Sequence, residues 1–346
     1  MDTMRRLHAA TPWRTGLGFA LAALCLLASG SNPQEAEAQE GDTITLRIAT
    51  LAPRGSGWMR VFNAWNNSLR EATDERLRIR FYPGGSQGDE RDVVRKIRIG
   101  QLDGAAVTST GLGLIVPSVL VLQAPGVINT YRQVDRARTA LADQFDREFE
   151  SQGVHLLGWG DVGLGRIFSN RAIERPQDLR QVRPWVWTDD QMFSTMLSVV
   201  GANGVRLGVP EVLPGLSTGQ IDTVVASATA ASALQWHTRL THVTEQANSV
   251  LVGATIMSQE RFASLPPDLQ QALTETSERA HTALRRRIRR DDARYYTALT
   301  TQQGLTAVDT SAHQAEWDRV AEQTRGRLAG RVFPQSLLQQ VIAAVR

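Results

Sequence analysis

Cysteine is almost missing from this sequence. Cys25 is the single example, and it lies in an apolar stretch near the N-terminus. If the chain is cleaved at the Ala-x-Ala site formed by Ala36, Glu37 and Ala38, what remains has no cysteine. Disulfides, thiol catalysis and cysteine–metal sites are then excluded together. Histidine is scarce as well, with six in the chain. His237 and His242 are five apart, a spacing that does not place them on one helical face. The sequence contains no H-E-x-x-H, no phosphate-binding loop, no G-x-S-x-G and no EF-hand pattern. The glycines at 111, 113, 160, 163 and 165 read as backbone passing close to a ligand or crossing between lobes. An enzyme has no visible machinery here.

Excess charge is lacking too. The net charge is +3 over 346 residues, which makes no case for a nucleic-acid partner. The run Arg285-Arg286-Arg287-Ile288-Arg289-Arg290 invites that reading, but consecutive helical residues point around the axis and not along one face. With Glu275, Glu278, Asp291 and Asp292 flanking it, the run predicts a solvated helix laced with ion pairs. Beyond the N-terminus no apolar run is long enough to span a bilayer.

The N-terminus itself carries a signal. Arg5, Arg6 and Arg14 form a basic region, residues 15–28 are apolar, and a polar spacer leads to the Ala36–Ala38 site. Residues 1–38 read as a signal peptide, with a membrane anchor as the competing reading. Lipidation at Cys25 is disfavoured because Leu24 stands where a small residue is wanted. The expected product is a periplasmic chain.

Strands and helices alternate through the rest. Residues 43–50 alternate polar and apolar and read as a strand. Ser56 can cap a helix with Trp58, Phe62, Trp65 and Leu69 along one stripe, and Trp65 belongs to its core side. Further strands are predicted at 77–82, 102–108, 154–159, 166–169, 182–187, 222–227 and 250–257. Helices are predicted at 89–100, 131–151, 190–200, from Pro266 to Thr301, and near 312–326 and 334–345. This pattern gives α/β lobes with mainly parallel sheets. At this length two lobes are expected.

Five stretches, in this order and spacing, then carry a resemblance. They are Leu46-Arg47-Ile48-Ala49-Thr50, Tyr82-Pro83-Gly84-Gly85-Ser86-Gln87-Gly88, and Ile97 through Gly104. They continue with Arg166-Ile167-Phe168-Ser169-Asn170 followed by Pro176-Gln177-Asp178-Leu179-Arg180, and finish with Val212 through Asp222. Over roughly residues 46–332 the chain resembles the TRAP transporter solute-binding proteins, the DctP family. The resemblance implies an α/β, two-lobed periplasmic binding protein, type II-like, with a ligand cleft between lobes and a long spanning helix. It divides the chain into residues 39–160 as the first part of lobe I, 161–248 as lobe II, and 249–346 as the completion of lobe I with the spanning helix. Closure would turn on segments near 158–165 and 244–252, where glycines and small residues can absorb rotation.

The resemblance also implies a site and partners. Members have an arginine in the strand after Pro-x-Asp-Leu that pairs with a substrate carboxylate; here that strand reads Arg183-Pro184-Trp185-Val186-Trp187, and Trp185 takes the arginine's place. The implied cleft residues are Leu51, Trp58, Thr108, Arg166, Trp185, Val186, Trp187, Ser227, Ala228 and Trp236, with Trp159 also near a strand end. Arg166 either faces the cleft or braces the lobes. A largely apolar or amphiphilic ligand, such as a lipid-like molecule or a monocarboxylate with its head near Arg166, fits better than a C4-dicarboxylate. No cofactor or metal is implied. The implied partners are the small and large membrane permease subunits, and, for this tryptophan-rich branch, a helper subunit of tetratricopeptide repeats. A carrier or sensory receptor of the same fold is the alternative function. N-terminal sequencing of the natively exported chain should find Gln39 as its first residue; an acylated Cys25 at that position would contradict the cleavage reading.

Overall fold

The computed structural model describes residues 43–346. The signal-peptide reading of residues 1–38 and the assignment of Cys25 lie outside them. In chain order the elements of the first half are β1 (Ile44–Thr50), α1 (Gly57–Ala72), β2 (Leu77–Tyr82), α2 (Glu90–Arg98), β3 (Gly104–Thr108), α3 (Ser109–Gly113), α4 (Tyr131–Ala140), α5 (Ala142–Ser151) and β4 (Val154–Ser169). There follow β5 (Trp185–Trp187), α6 (Gln191–Val200), β6 (Val205–Leu207), α7 (Val209–Thr218), β7 (Thr223–Ala226), α8 (Ala228–Ala233), β8 (His242–Thr244) and β9 (Ser249–Ser258). The chain ends with α9 (Gln259–Ala263), α10 (Pro267–Thr301), β10 (Thr306–Val308), α11 (Gln314–Leu328) and α12 (Gln335–Val345).

The fold is the expected α/β architecture, but its strands are mixed in direction rather than mainly parallel. β1 pairs in parallel with β2 and β3, whereas β9 runs antiparallel to both β3 and β4. The difference lies in β4, which the sequence pattern divides into two short strands. It is one strand of 16 residues. Val154 to Gly165 pair with β9, after which Arg166 to Ser169 pair with β7. Bulges fall between Leu156 and Gly158 and between Asp161 and Gly163, so the strand bends as it passes from one sheet to the other. Glycine is required there by close approach. A Cβ on Gly158 would stand 2.5 Å from His281 Cγ, and Gly163, at φ +133, would meet Ser227 Cβ at 2.5 Å.

Apolar burial follows the two faces of each half-sheet. Leu46 and Ile48 of β1 pack with Phe62, Trp65 and Leu69 of α1 and with Leu273 and Ile288 of α10. The opposite face is covered by Val93 and Ile97 of α2, Phe145 and Phe149 of α5, and Val341 of α12. The second half has its own pair of clusters. One gathers Phe168, Trp185, Trp236 and Leu299; the other gathers Ile167, Val186, Phe193 and Trp317. Helix α10, with 35 residues, is about 50 Å long at 1.5 Å per residue, and it joins the first half's core at Leu273 to the second half's at Leu299. Residues 305–317 work with the second half: β10 pairs β8, and Trp317 packs beside Val186. Within the stretch 249–346, expected to complete the first lobe with a spanning helix, α10 packs on the cores of both halves and α11 places Trp317 on the second. The predicted helix over 131–151 is two helices broken at Leu141, where φ is −113 and ψ is 9.

The arginine run on α10 spreads around the helix as expected, but its strongest partner is distant. Arg287 pairs with Asp291 at 3.2 Å, a local contact. Arg289 reaches Asp161 on β4 at 2.7 Å and Asp135 on α4 at 2.6 Å. Asp161 is 2% exposed and also receives Arg138 at 2.7 Å. Two guanidinium groups thus converge on one buried carboxylate at the bend of β4. Removing it strands Arg138 without a counter-charge. Asp161→Ala should lose about 3 kcal/mol of unfolding free energy in urea titration, and a loss below about 1 kcal/mol would show that the network is no more than a surface pair.

Candidate functional site

A cavity of about 310 Å³ lies where the strand ends of the two halves face each other. That volume is at the lower end of the range for small-molecule sites. The first half supplies Leu51 just past β1, Trp58 in the first turn of α1, and Thr108 at the end of β3. Each position follows from local structure. Ser56 caps α1 by accepting from Met59 N at 3.3 Å, which fixes the turn carrying Trp58. Thr108 caps α3 by accepting from Thr110 N. Ligands of open α/β sheets collect at these carboxyl ends.

The second half supplies an aromatic wall. Trp185 and Trp187 share one face of β5 because side chains alternate with period two, and their ring centroids are 6.0 Å apart. Trp236 meets Trp185 edge-on at 5.2 Å and 71°. The indole N–H groups are already used: Trp185 donates to Leu207 O at 2.9 Å, Trp187 to Asp89 Oδ2 at 2.7 Å and Trp58 to Asp161 O at 3.1 Å. These three indoles therefore offer the cavity their apolar faces.

Of the ten residues singled out by the sequence, Leu51, Trp58, Thr108, Trp185, Trp187 and Trp236 line this cavity. Four stand outside its wall. Val186 points to the opposite side of β5, into the core with Phe193 and Trp317, as the alternation that unites its two neighbours requires. Ser227 is spent on structure, donating to Val162 O at 2.7 Å and capping α8. Ala228 is fully buried in the core beside Phe168. Arg166 turns away as its neighbour Ile167 turns in. Its guanidinium lies over the Tyr296 ring at 4.3 Å and 3.8 Å from Asp292, so it braces β4 against α10. Trp159 is likewise not in the wall; it packs on Phe145 at 5.8 Å beneath Arg138.

Several wall residues have no counterpart among the ten. Phe62 reads from the sequence only as part of a helical stripe, Trp317 lies in a helix with no link to the cleft, and α6 adds Met192, Phe193 and Met196. Gln123, Asn129 and Asn248 bring amide groups, while Glu90 and Asp190 bring carboxyls. Asp190 has a visible signal, since it stands at the N-cap of α6 and accepts from Met192 N and Phe193 N. Glu90 has none, because its role depends on contacts with a distant strand end.

Among the described residues the wall contains no lysine or arginine. Of its acidic groups Asp318 is exposed, Asp161 is paired, and the carboxyls of Glu90 and Asp190 are buried. Asp161 is matched by Arg138 and Arg289. Burial pushes Glu90 up to about 7, against the pull of N–H and O–H donors from Thr108 and Gly111 at 2.6–2.9 Å. Burial also raises Asp190, opposed by the Phe193 and Met192 N–H groups. His281, hydrogen-bonded to Thr255 Oγ1 at 2.7 Å, is pushed down to about 4 by burial and is a neutral imidazole at neutral pH. No group of three or more metal-ligating side chains occurs among the described residues. Such a wall can enclose apolar surface and accept or donate a few hydrogen bonds, but it has no cation with which to neutralise an anion.

Comparison with known proteins agrees with this architecture. The sequence model of the family described as bacterial extracellular solute-binding protein, family 7 (DctP), matches residues 48–326. The 2,3-diketo-L-gulonate-binding periplasmic protein YiaO of Escherichia coli K12 is 24% identical over 273 residues, which is 75% of this chain and 80% of YiaO. A TRAP periplasmic solute-binding protein from Shewanella oneidensis with bound succinate has the same fold, with a TM-score of 0.82 at 15% identity, covering 88% of this chain and 100% of that one. DctP7, a Bordetella pertussis extracytoplasmic solute receptor binding pyroglutamic acid, matches at 0.81 and 16% identity over the same shares of the two chains, 88% and 100%.

The burial of Glu90 has a measurable consequence. Its carboxyl holds a proton more tightly in the folded chain, at about 7 against 4.5, so folding stability falls as pH rises from 4.5 through 7. At about 1.4 kcal/mol for each pH unit between those two values, the fall is on the order of 3 kcal/mol. Glu90→Gln should remove this slope whatever constant offset it adds. Urea unfolding of both proteins across that range is the check, and parallel pH profiles would contradict a protonated Glu90.

Proposed function

The chain belongs to family 7 of the bacterial extracellular solute-binding proteins, the DctP family, and on that premise we propose that its cavity receives a largely apolar ligand. The protein is a TRAP-type extracytoplasmic solute receptor, of the kind that pairs with membrane permease subunits, and not an enzyme. The single observation behind the apolar ligand is the wall itself, five tryptophans with neither lysine nor arginine among the described residues.

Two opposing magnitudes favour this reading. A diacid enclosed without a paired cation loses hydration worth several kcal/mol per charge. By contrast, each indole face offers up to about 150–250 Å² of side-chain surface for burial, and apolar burial returns roughly 25 cal/mol per Å². The Shewanella and Bordetella proteins hold succinate and pyroglutamic acid; in this chain Trp185 occupies the place where the family resemblance puts the carboxylate-pairing arginine. Arg166 stands behind the wall, so a ligand's polar end would meet the amides of Gln123, Asn129 and Asn248 instead. A lipid-like molecule or a monocarboxylate with one small polar end fits these surroundings. Delivery to the permease by a periplasmic chain released from its signal peptide, with a tetratricopeptide-repeat helper as additional partner, completes the proposal.

Titration calorimetry with dodecanoate, a sterol and succinate tests the ligand class. Dodecanoate or the sterol should bind, and Trp185→Ala should weaken that binding at least tenfold, while succinate gives no heat. Micromolar succinate binding that survives Trp185→Ala would overturn the reading.

A further inference from the structure

The cavity wall is one-sided in charge. Among the described residues it carries Glu90, Asp161, Asp190 and Asp318, with neither lysine nor arginine. The cations behind the wall are already matched. Arg138 and Arg289 share Asp161, Arg289 also holds Asp135, and Arg166 lies 3.8 Å from Asp292. Asp318 is exposed. Glu90 and Asp190 remain as enclosed carboxyls, and their hydrogen bonds come from backbone N–H groups and the Thr108 hydroxyl, not from a cation.

Asp190 and Trp187 belong to one turn. The Asp190 N–H donates to Trp187 O at 2.9 Å, and both residues line the cavity. Asp190 Oδ1 caps α6 by accepting from Met192 N at 2.7 Å and Phe193 N at 3.0 Å, while its Oδ2 has no hydrogen-bond partner among the described residues. Arg206 acts on Asp190 only weakly, after burial and the two N–H groups, and donates to Thr188 O at 2.8 Å. Of the five tryptophans in the wall, Trp58 and Trp187 are the two that are only half-buried. The face of an aromatic ring is its negative side. The Trp187 N–H donates to the Asp89 carboxyl at 2.7 Å, and a hydrogen bond to such an acceptor polarises the ring further in that sense.

We infer that the cavity selects an amphiphile whose polar end is a cation of diffuse charge, such as a quaternary ammonium group, and that Asp190 and the Trp187 ring determine that choice. The inference rests on the apolar-ligand reading above and narrows it at the polar end. Indole faces attract cations more strongly than other aromatic side chains do, and the same faces and carboxyls repel a carboxylate. A quaternary ammonium group has no N–H to leave unsatisfied, so enclosing it costs less than enclosing a primary ammonium. Glu90 acts in the same direction. Burial holds its carboxyl at about 7, and a positive charge in the cavity favours its ionised form.

The experiment compares three amphiphiles with the same tail by titration calorimetry: decyltrimethylammonium, decanol and decanoate. Each is used below its micellar concentration, with circular dichroism showing that the protein stays folded. Decyltrimethylammonium should bind at least tenfold more tightly than decanol, and decanoate should be the weakest. Asp190→Asn retains a side chain that caps α6 equally well and removes the charge. It should reduce the advantage of the cation over decanol at least fivefold while leaving decanol's own affinity as it was, a pattern that damage to the fold would not give. Trp187→Leu should reduce the same ratio. Decanol or decanoate binding as tightly as the cation would overturn this inference and leave the apolar-ligand reading standing. Binding of none of the three would sink both. A ratio unchanged in both Asp190→Asn and Trp187→Leu would also overturn the inference.

Discussion

Strand β4 belongs to two sheets at once, and the rest of the molecule is arranged around that shared strand. Its first twelve residues pair with β9 and its last four with β7. A strand that changes partners must bend, and the bulges near 157 and 162 supply the bend. Bending leaves polar backbone without regular partners, and helix α10 satisfies part of it. Asp292 accepts from Leu164 N at 3.0 Å and from Thr229 N at 3.1 Å, tying the crossing strand to α8 of the second half. Three residues earlier, Arg289 binds Asp161 at the same crossing. The spanning helix therefore serves as the polar complement of the crossing as well as an apolar surface packed against both cores. The cavity lies beside this crossing, bounded in part by residues 160–162 and 251–255.

What fills the cavity wall follows from where the cations have gone. Arg138 and Arg289 are committed to Asp161, while Arg166 lies over the Tyr296 ring and 3.8 Å from Asp292, with its buried Nε and Nη1 lacking a hydrogen-bond partner. None of the three faces the cavity. Tryptophans occupy the opposing wall, with four of their five N–H groups bonded to protein acceptors. Buried polar groups cost least when their partners are fixed in advance, and an indole with its N–H satisfied presents little besides apolar surface. The same tryptophans thus have two roles. Trp185 is core for the second half and wall for the cavity, while Trp187 joins the wall to the contact between halves.

Much of this was legible in the sequence wherever a local rule sufficed. The capping serine at 56, the stripe through Trp65, the long helix after Pro266 and the shared face of Trp185 and Trp187 all appear in the structure as read. The same period-two rule turns Val186 away from the cavity and into the core with Phe193 and Trp317. Ser227 and Ala228 follow a strand end, as ligand contacts often do, but a capping bond and close packing claim them. The unity of β4 was hidden by its glycines, which weaken a strand pattern locally and are explained only by His281 and Ser227 pressing from other elements. Glu90 and Trp317 reach the wall through contacts across long separations in sequence, which no local pattern encodes.

On the proposal made above, this receptor encloses apolar surface and does not pair a carboxylate with a cation. Native mass spectrometry of the protein purified from its own periplasm without denaturation, followed by solvent extraction, tests it most directly. The expected co-purifying molecule has a large apolar part and at most one acidic group. A dicarboxylate or a sugar acid retained in stoichiometric amount would contradict the claim.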